Sequence, residues 1–221
     1  MRPIPHPSPN FGPRRDGLTP SLIVLHYTAM ADPMEALDRL SSPEFEVSAH
    51  YLIHRDGRLF QLVDEDMRAW HAGAGTWGGL DDINSRSIGI EIDNDGASPF
   101  SEPQMSALEA LLPAIMTRWD ILPGGVIGHS DMAPGRKTDP GPRFDWARLA
   151  RQGLCVPSGN AHPPKHPTEA EFRARAIAAG YADAADDATL LNAVRLRHRP
   201  WATGPLCSED FTAFPDRSRT T

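Results

Sequence analysis

Residues 128–142, GHSDMAPGRKTDPGP, set a His, a Lys and two Asp among turn-forming Gly and Pro. A plain surface connection needs the turn residues but not the imidazole. His129 closes the short apolar run GVIGH, and Asp139 follows in a stretch stiffened by Pro134, Pro140 and Pro142. A second imidazole, His26, closes another apolar run, SLIVLHY. Zinc accepts imidazole nitrogen and carboxylate oxygen, and a catalytic zinc takes three protein ligands with a fourth position open. His26, His129 and Asp139 are therefore the candidate ligands of one Zn2+ per chain. No local spacing such as H-E-x-x-H joins them, and the chain has nine histidines. On the residues alone, a core or surface histidine stays an open alternative at positions 26 and 129.

Strands and helices must bring such distant residues together. SLIVLHY (21–27) reads as a buried strand and VSAHYLIH (47–54) as another, followed by an Asp56-Gly57 turn and a return strand LFQLV. In SIGIEID (87–93) Ile88, Ile90 and Ile92 share one face, and Ser87, Gly89, Glu91 and Asp93 the other. GVIGH (125–129) is a last short strand. Asp32 with Pro33 opens a helix through PMEALDRLSS, Ser101 caps a long one that Pro113 is expected to kink, and Asp145 caps a third. Strands interleaved with helices, including one hairpin, predict an α/β fold with a mixed central sheet flanked by helices.

SGNAHPPKHP (158–167) breaks the pattern and reads as a linker. Beyond it, Thr168 with Glu171 predicts a capping box, Asp186 or Asp187 a second helix and SEDFTAF a third. The expected organisation is a domain over 1–157 with an extended, Pro-rich N-terminal arm, the linker, and a small all-α appendage over 168–221 with a frayed tail, PDRSRTT.

Composition limits the partners. The 221 residues carry a formal charge of -7, which argues against nucleic acid. No apolar run is long enough to span a membrane. Residues 1–17 lack the apolar core of a signal peptide, so a cytoplasmic location is expected, or the envelope if a leader has been removed. A monomer is the expected state. Cys155 and Cys207 lie outside any metal spacing; free thiols and a single disulfide both remain open.

LHYTA around His26, SAHYLIHRDG, AWHAG, SIGIEIDN and GHSDMAPGRKTDPG, in this order, resemble the zinc-dependent N-acetylmuramoyl-L-alanine amidases of the amidase-2 type, the AmpD and AmiD family. The SPNF start and the appendage look most like the AmiD branch, and LNAVRLRHRP is loosely similar to that branch's peptidoglycan-binding-like helical module. The resemblance implies zinc on His26, His129 and Asp139, and hydrolysis of the amide between N-acetylmuramic acid, or its 1,6-anhydro form, and L-alanine of the stem peptide. It implies that Glu91 acts as general base, where periodicity alone favours a solvent-facing Glu on an edge strand. Lys137 lies two residues before Asp139, so an extended loop sends both to one cleft; the family match implies oxyanion stabilisation there. His50, Trp70, His71, Asn84 and Arg86 fall in or beside the same motifs and are expected near peptidoglycan fragments or polymer. His50 and His71 could instead orient neighbours. The competing reading is a peptidoglycan-recognition protein on the same fold that binds without hydrolysis; such proteins lose zinc ligands, and this chain keeps all three.

Overall fold

The structure is a computed structural model and describes residues 2–30, 32–159, 161–184 and 186–215. In chain order its strands are β1 (Ile4–Pro5), β2 (Phe11–Pro13), β3 (Leu22–Tyr27), β4 (Tyr51–Ile53), β5 (Leu59–Gln61), β6 (Met67–Ala69), β7 (Ser87–Ile92) and β8 (Val126–Gly128). The helices are α1 (Pro33–Ser41), α2 (Ile83–Arg86), α3 (Glu102–Trp119), α4 (His129–Met132), α5 (Trp146–Arg151), α6 (Glu169–Ala178) and α7 (Asp187–His198).

Six strands form one mixed sheet in the order β1-β5-β4-β7-β3-β8. β4, β7, β3 and β8 run parallel, β5 returns antiparallel on β4, and β1 pairs parallel with β5. β7 is thus a central strand, not an edge. Its three isoleucines face α3, whose Met105, Leu108, Leu112 and Ile115 complete a buried layer with Ile23 and Leu25 of β3 and Trp146 and Leu149 of α5. The opposite face carries α1 through Ala36, Leu37 and Leu40 and leaves the strand ends open beside it. α3 starts in a reciprocal capping box between Ser101 and Gln104 and continues through Pro113.

The N-terminal arm is built into the fold. β1 extends the main sheet and β2 pairs antiparallel with β6. Arg14 then donates to the carbonyls of Glu65 at 2.7 Å and Ser85 at 2.9 Å, clamping the entry to β7.

α6, α7 and a 3-10 turn at Ser208–Ala213 share their own apolar cluster around Phe172, Leu190 and Phe211. Thr168 caps α6 by accepting the Glu171 N–H; the Glu171 carboxylate pairs with Arg175 instead of closing the box. This cluster is docked on the rest of the chain. Arg197 of α7 reaches Asp131 of α4 at 2.8 Å, both residues buried, and its guanidinium lies 4.0 Å from the centre of the Trp146 ring. Trp77 packs edge-on against Tyr181. Cys155 and Cys207 are free thiols. The tail beyond Pro215 lies outside the described residues. Among the described residues no helix is long and apolar enough to cross a membrane.

Candidate active site

Strand register brings the chemistry together. His26 on β3 and Glu91 on β7 are partners across the parallel ladder, so both side chains leave the same face of the sheet near the carboxyl ends of the strands. β8 ends at Gly128, and His129 opens α4 directly after it. The loop then returns: the Asp139 carbonyl accepts the Ser130 N–H at 2.9 Å, and the Thr138 and Tyr27 hydroxyls meet at 2.9 Å, tying the loop to the end of β3. His26 Nδ1, His129 Nδ1 and Asp139 Oδ2 come to lie 2.9 Å apart in all three pairs. All three residues are buried.

The protons decide what this triangle can hold. His129 Nε2 is 2.8 Å from the Ala72 carbonyl oxygen. An oxygen there requires a hydrogen on Nε2, which leaves Nδ1 as the nitrogen turned toward the other two groups. Burial, with the neighbouring His129, pulls His26 down to about 4, so it is neutral at neutral pH. Burial pushes the Asp139 carboxyl up, but the adjoining imidazoles outweigh it and hold it below the usual carboxylate range. An ionised oxygen and inward-facing imidazole nitrogens repel one another unless a cation sits among them. Two imidazoles and one carboxylate are the donor set of a catalytic zinc.

Glu91 stands beside this centre, with Oε2 buried and without a hydrogen-bond partner among the described residues. Burial, reinforced by the Asp139 charge and opposed by Lys137, raises its pKa well above the ordinary glutamate value. A groove of about 520 Å³ exposes the cluster, lined also by Lys137, Trp70 and His71.

The other expected substrate contacts lie elsewhere. His50 is fully buried, accepting the Gly89 N–H on Nδ1 at 2.9 Å while Nε2 faces the Met67 carbonyl at 3.1 Å. Asn84 spends its Oδ1 on the N–H groups of His71 and Ala72, at 3.1 and 2.8 Å. Arg86 bonds the Asp81 carbonyl. None of the three lines the groove. The reason is direction: positions 84 and 86 precede β7, whereas Glu91 lies near its far end, roughly 16 Å along a strand from Arg86. Two residues that sequence reasoning passed over do bear on the site. Arg136 fixes the ligand loop by donating to the carbonyls of Ala72 and Ala74, and Ser87 touches His71. Ser87 was visible as a member of the polar face of β7; nothing local marks Arg136.

A mixed sheet with a His–His–Asp cluster and a buried carboxylate in an open groove at its strand ends is the framework of a hydrolytic amidase. A family model described as N-acetylmuramoyl-L-alanine amidase matches residues 16–142. The 1,6-anhydro-N-acetylmuramyl-L-alanine amidase AmpD of Citrobacter freundii is 37% identical over 171 residues, covering 70% of this chain and 90% of that one. AmiD of Escherichia coli is 40% identical over 149 residues, covering 60% of this chain and 53% of that one. Among solved structures, E. coli AmiD in complex with an anhydro-muropeptide superposes with a TM-score of 0.79 at 31% identity, covering 90% of this chain and 89% of that one. AmpDh3 of Pseudomonas aeruginosa gives 0.80 at 34%, covering 88% and 89%. The chain belongs to the N-acetylmuramoyl-L-alanine amidase family of the amidase-2 type.

Proposed function

We propose that the chain cleaves the amide between the lactyl group of N-acetylmuramic acid, or its 1,6-anhydro form, and L-alanine, with one zinc ion held by His26 Nδ1, His129 Nδ1 and Asp139 Oδ2. The observation that carries this reading is the convergence of the three donors beside Glu91. Zinc supplies Lewis acidity, activating water and polarising the scissile carbonyl at neutral pH. Glu91, its Oε2 otherwise unpartnered, takes the proton of the attacking water and returns it to the departing amine of L-alanine. Lys137, exposed on the groove wall, places its ammonium where the carbonyl oxygen gains charge. Trp70 offers an apolar face to the sugar, and His71 acts on the site from the groove floor.

Soluble fragments are the favoured substrate. E. coli AmiD was solved with anhydro-N-acetylmuramic acid-L-Ala-D-γ-Glu-L-Lys and AmpDh3 with an anhydromuramic pentapeptide. On this reading a monomer turns over such muropeptides in the cytoplasm; the helical unit over 168–215 is read as a surface for wall polymer, the second substrate. The test is digestion of purified anhydro-muropeptides and of intact sacculi, with products identified by mass. Free stem peptide beginning at L-alanine, abolished by a chelator and restored by zinc, is expected from the fragments. No release of that peptide from either substrate by the zinc-loaded chain would overturn the reading.

A further inference from the structure

His26 presents Nδ1 to the triangle, and that nitrogen can ligate a metal only if the ring's hydrogen sits on Nε2. The surroundings fix it through three successive contacts. Ser87 Oγ lies 2.6 Å from the Ile83 carbonyl oxygen, which can only accept. The single hydroxyl hydrogen of Ser87 is therefore committed there. At 3.1 Å from His71 Nε2, the Ser87 oxygen is left to accept, so His71 bears its hydrogen on Nε2. A neutral imidazole with its hydrogen on Nε2 has a lone pair on Nδ1. That lone pair faces His26 Nε2 at 3.0 Å. His26 must donate from Nε2, and its Nδ1 is bare.

The reversed order fails at its origin. With hydrogen on His71 Nδ1, Ser87 would have to donate to His71 Nε2. The Ser87 and Ile83 oxygens would then face each other at 2.6 Å with no hydrogen between them.

We propose that Ser87 and His71 are positioning residues for the metal: a hydrogen-bond relay from the Ile83 carbonyl that holds His26 in the one tautomer able to ligate through Nδ1. The backbone is shaped for it. A Cβ on Gly89 would lie 2.4 Å from His71 Cγ, so only glycine admits the ring against β7. Asn84 holds the His71 and Ala72 N–H groups from below. The Ser-Ile-Gly-Ile-Glu run thus places on alternate positions the relay's oxygen, the space for its ring and the carboxylate beside the metal.

This inference rests on the zinc reading of the site, and its test reads protons and metal instead of turnover. In the full-length chain without zinc, long-range 1H–15N correlation spectra should show His26 and His71 both protonated on Nε2. Protonation of His26 on Nδ1 there would overturn the relay whatever any variant does. Ser87→Ala removes the acceptor and lets His71 turn a hydrogen toward His26. Its zinc dissociation constant, from competition with a chromophoric chelator, should rise about 10–100-fold, with His26 now populating the Nδ1–H form. A folded Ser87→Ala protein that binds zinc like the parent dismisses the relay. A chain that binds zinc and shows the expected tautomers but hydrolyses nothing would sink the amidase reading and leave the relay standing.

Discussion

Glu91 carries a carboxylate into a buried place where Lys137 is the opposing charge and Asp139 a repelling one. A carboxylate whose Oε2 has no hydrogen-bond partner among the described residues gives up little there when it takes a proton. Glu91→Gln should therefore bind zinc with parental affinity while turnover falls about 10²–10⁴-fold, measured as the release of stem peptide. His50 shows the opposite use of burial. Desolvation lowers it from 6.5 to about 3, so the fold keeps it neutral where the unfolded chain takes up a proton. Because the unfolded state binds more protons in that window, stability falls as pH drops from 6.5 towards 3, by roughly 1.4 kcal/mol per unit from this group. Urea melts across that range should show the slope, and a folded His50→Gln variant should show a shallower one. At this scale the positions were legible in the sequence, while the roles came only with the resemblance. His26 and His129 end apolar runs, and Glu91 stands off an isoleucine stripe. Ser87 was equally visible, but its role needs the AWHAG loop folded across β7, a contact no local pattern encodes.

The elements work by direction. Parallel strands deliver His26, Glu91 and His129 at one edge of the sheet, and α3 braces them from behind. The Ser101 hydroxyl accepts the Gln104 N–H and donates to the Arg55 carbonyl at 2.6 Å, joining that brace to the hairpin between β4 and β5. Ser101→Ala should cost about 1 kcal/mol in thermal or urea unfolding with zinc binding unchanged. Periodicity predicted β3, β7, β8, the hairpin and the capped helices. It missed β1, β2 and β6 because each is two or three residues long and owes its existence to a partner; residues 1–17 read as an extended arm from their prolines alone. Asn84 and Arg86 were expected at the substrate because they adjoin Glu91 in sequence, and a strand carries its two ends apart.

For the whole molecule, the buried pair of Arg197 and Asp131 decides how separable the C-terminal helices are. Asp131 accepts the Gly128 N–H at 2.8 Å and lies two residues after His129. Arg197 adds contacts of 3.3 Å to the Val126 carbonyl on the strand feeding it. Removing one partner leaves the other charge buried and alone, which costs about 3–5 kcal/mol. Arg197→Met should lower stability by that order in urea melts, and the double variant Arg197→Met with Asp131→Asn should recover part of it. Deleting residues after Gly159 should likewise lower the melting temperature; an unchanged melt would show that the docking adds nothing. The composition that reads as a linker at 158–167 gives no sign of the return contact, since an arginine in LNAVRLRHRP reads as solvated until the fold gives it a buried aspartate.

A chimera that grafted a foreign tail onto this head would strand a carboxylate behind the histidine-bearing helix and leave the Trp146 ring uncovered. A tail can be exchanged on this head only if positions 131 and 197 change together, because each charge is buried against the other.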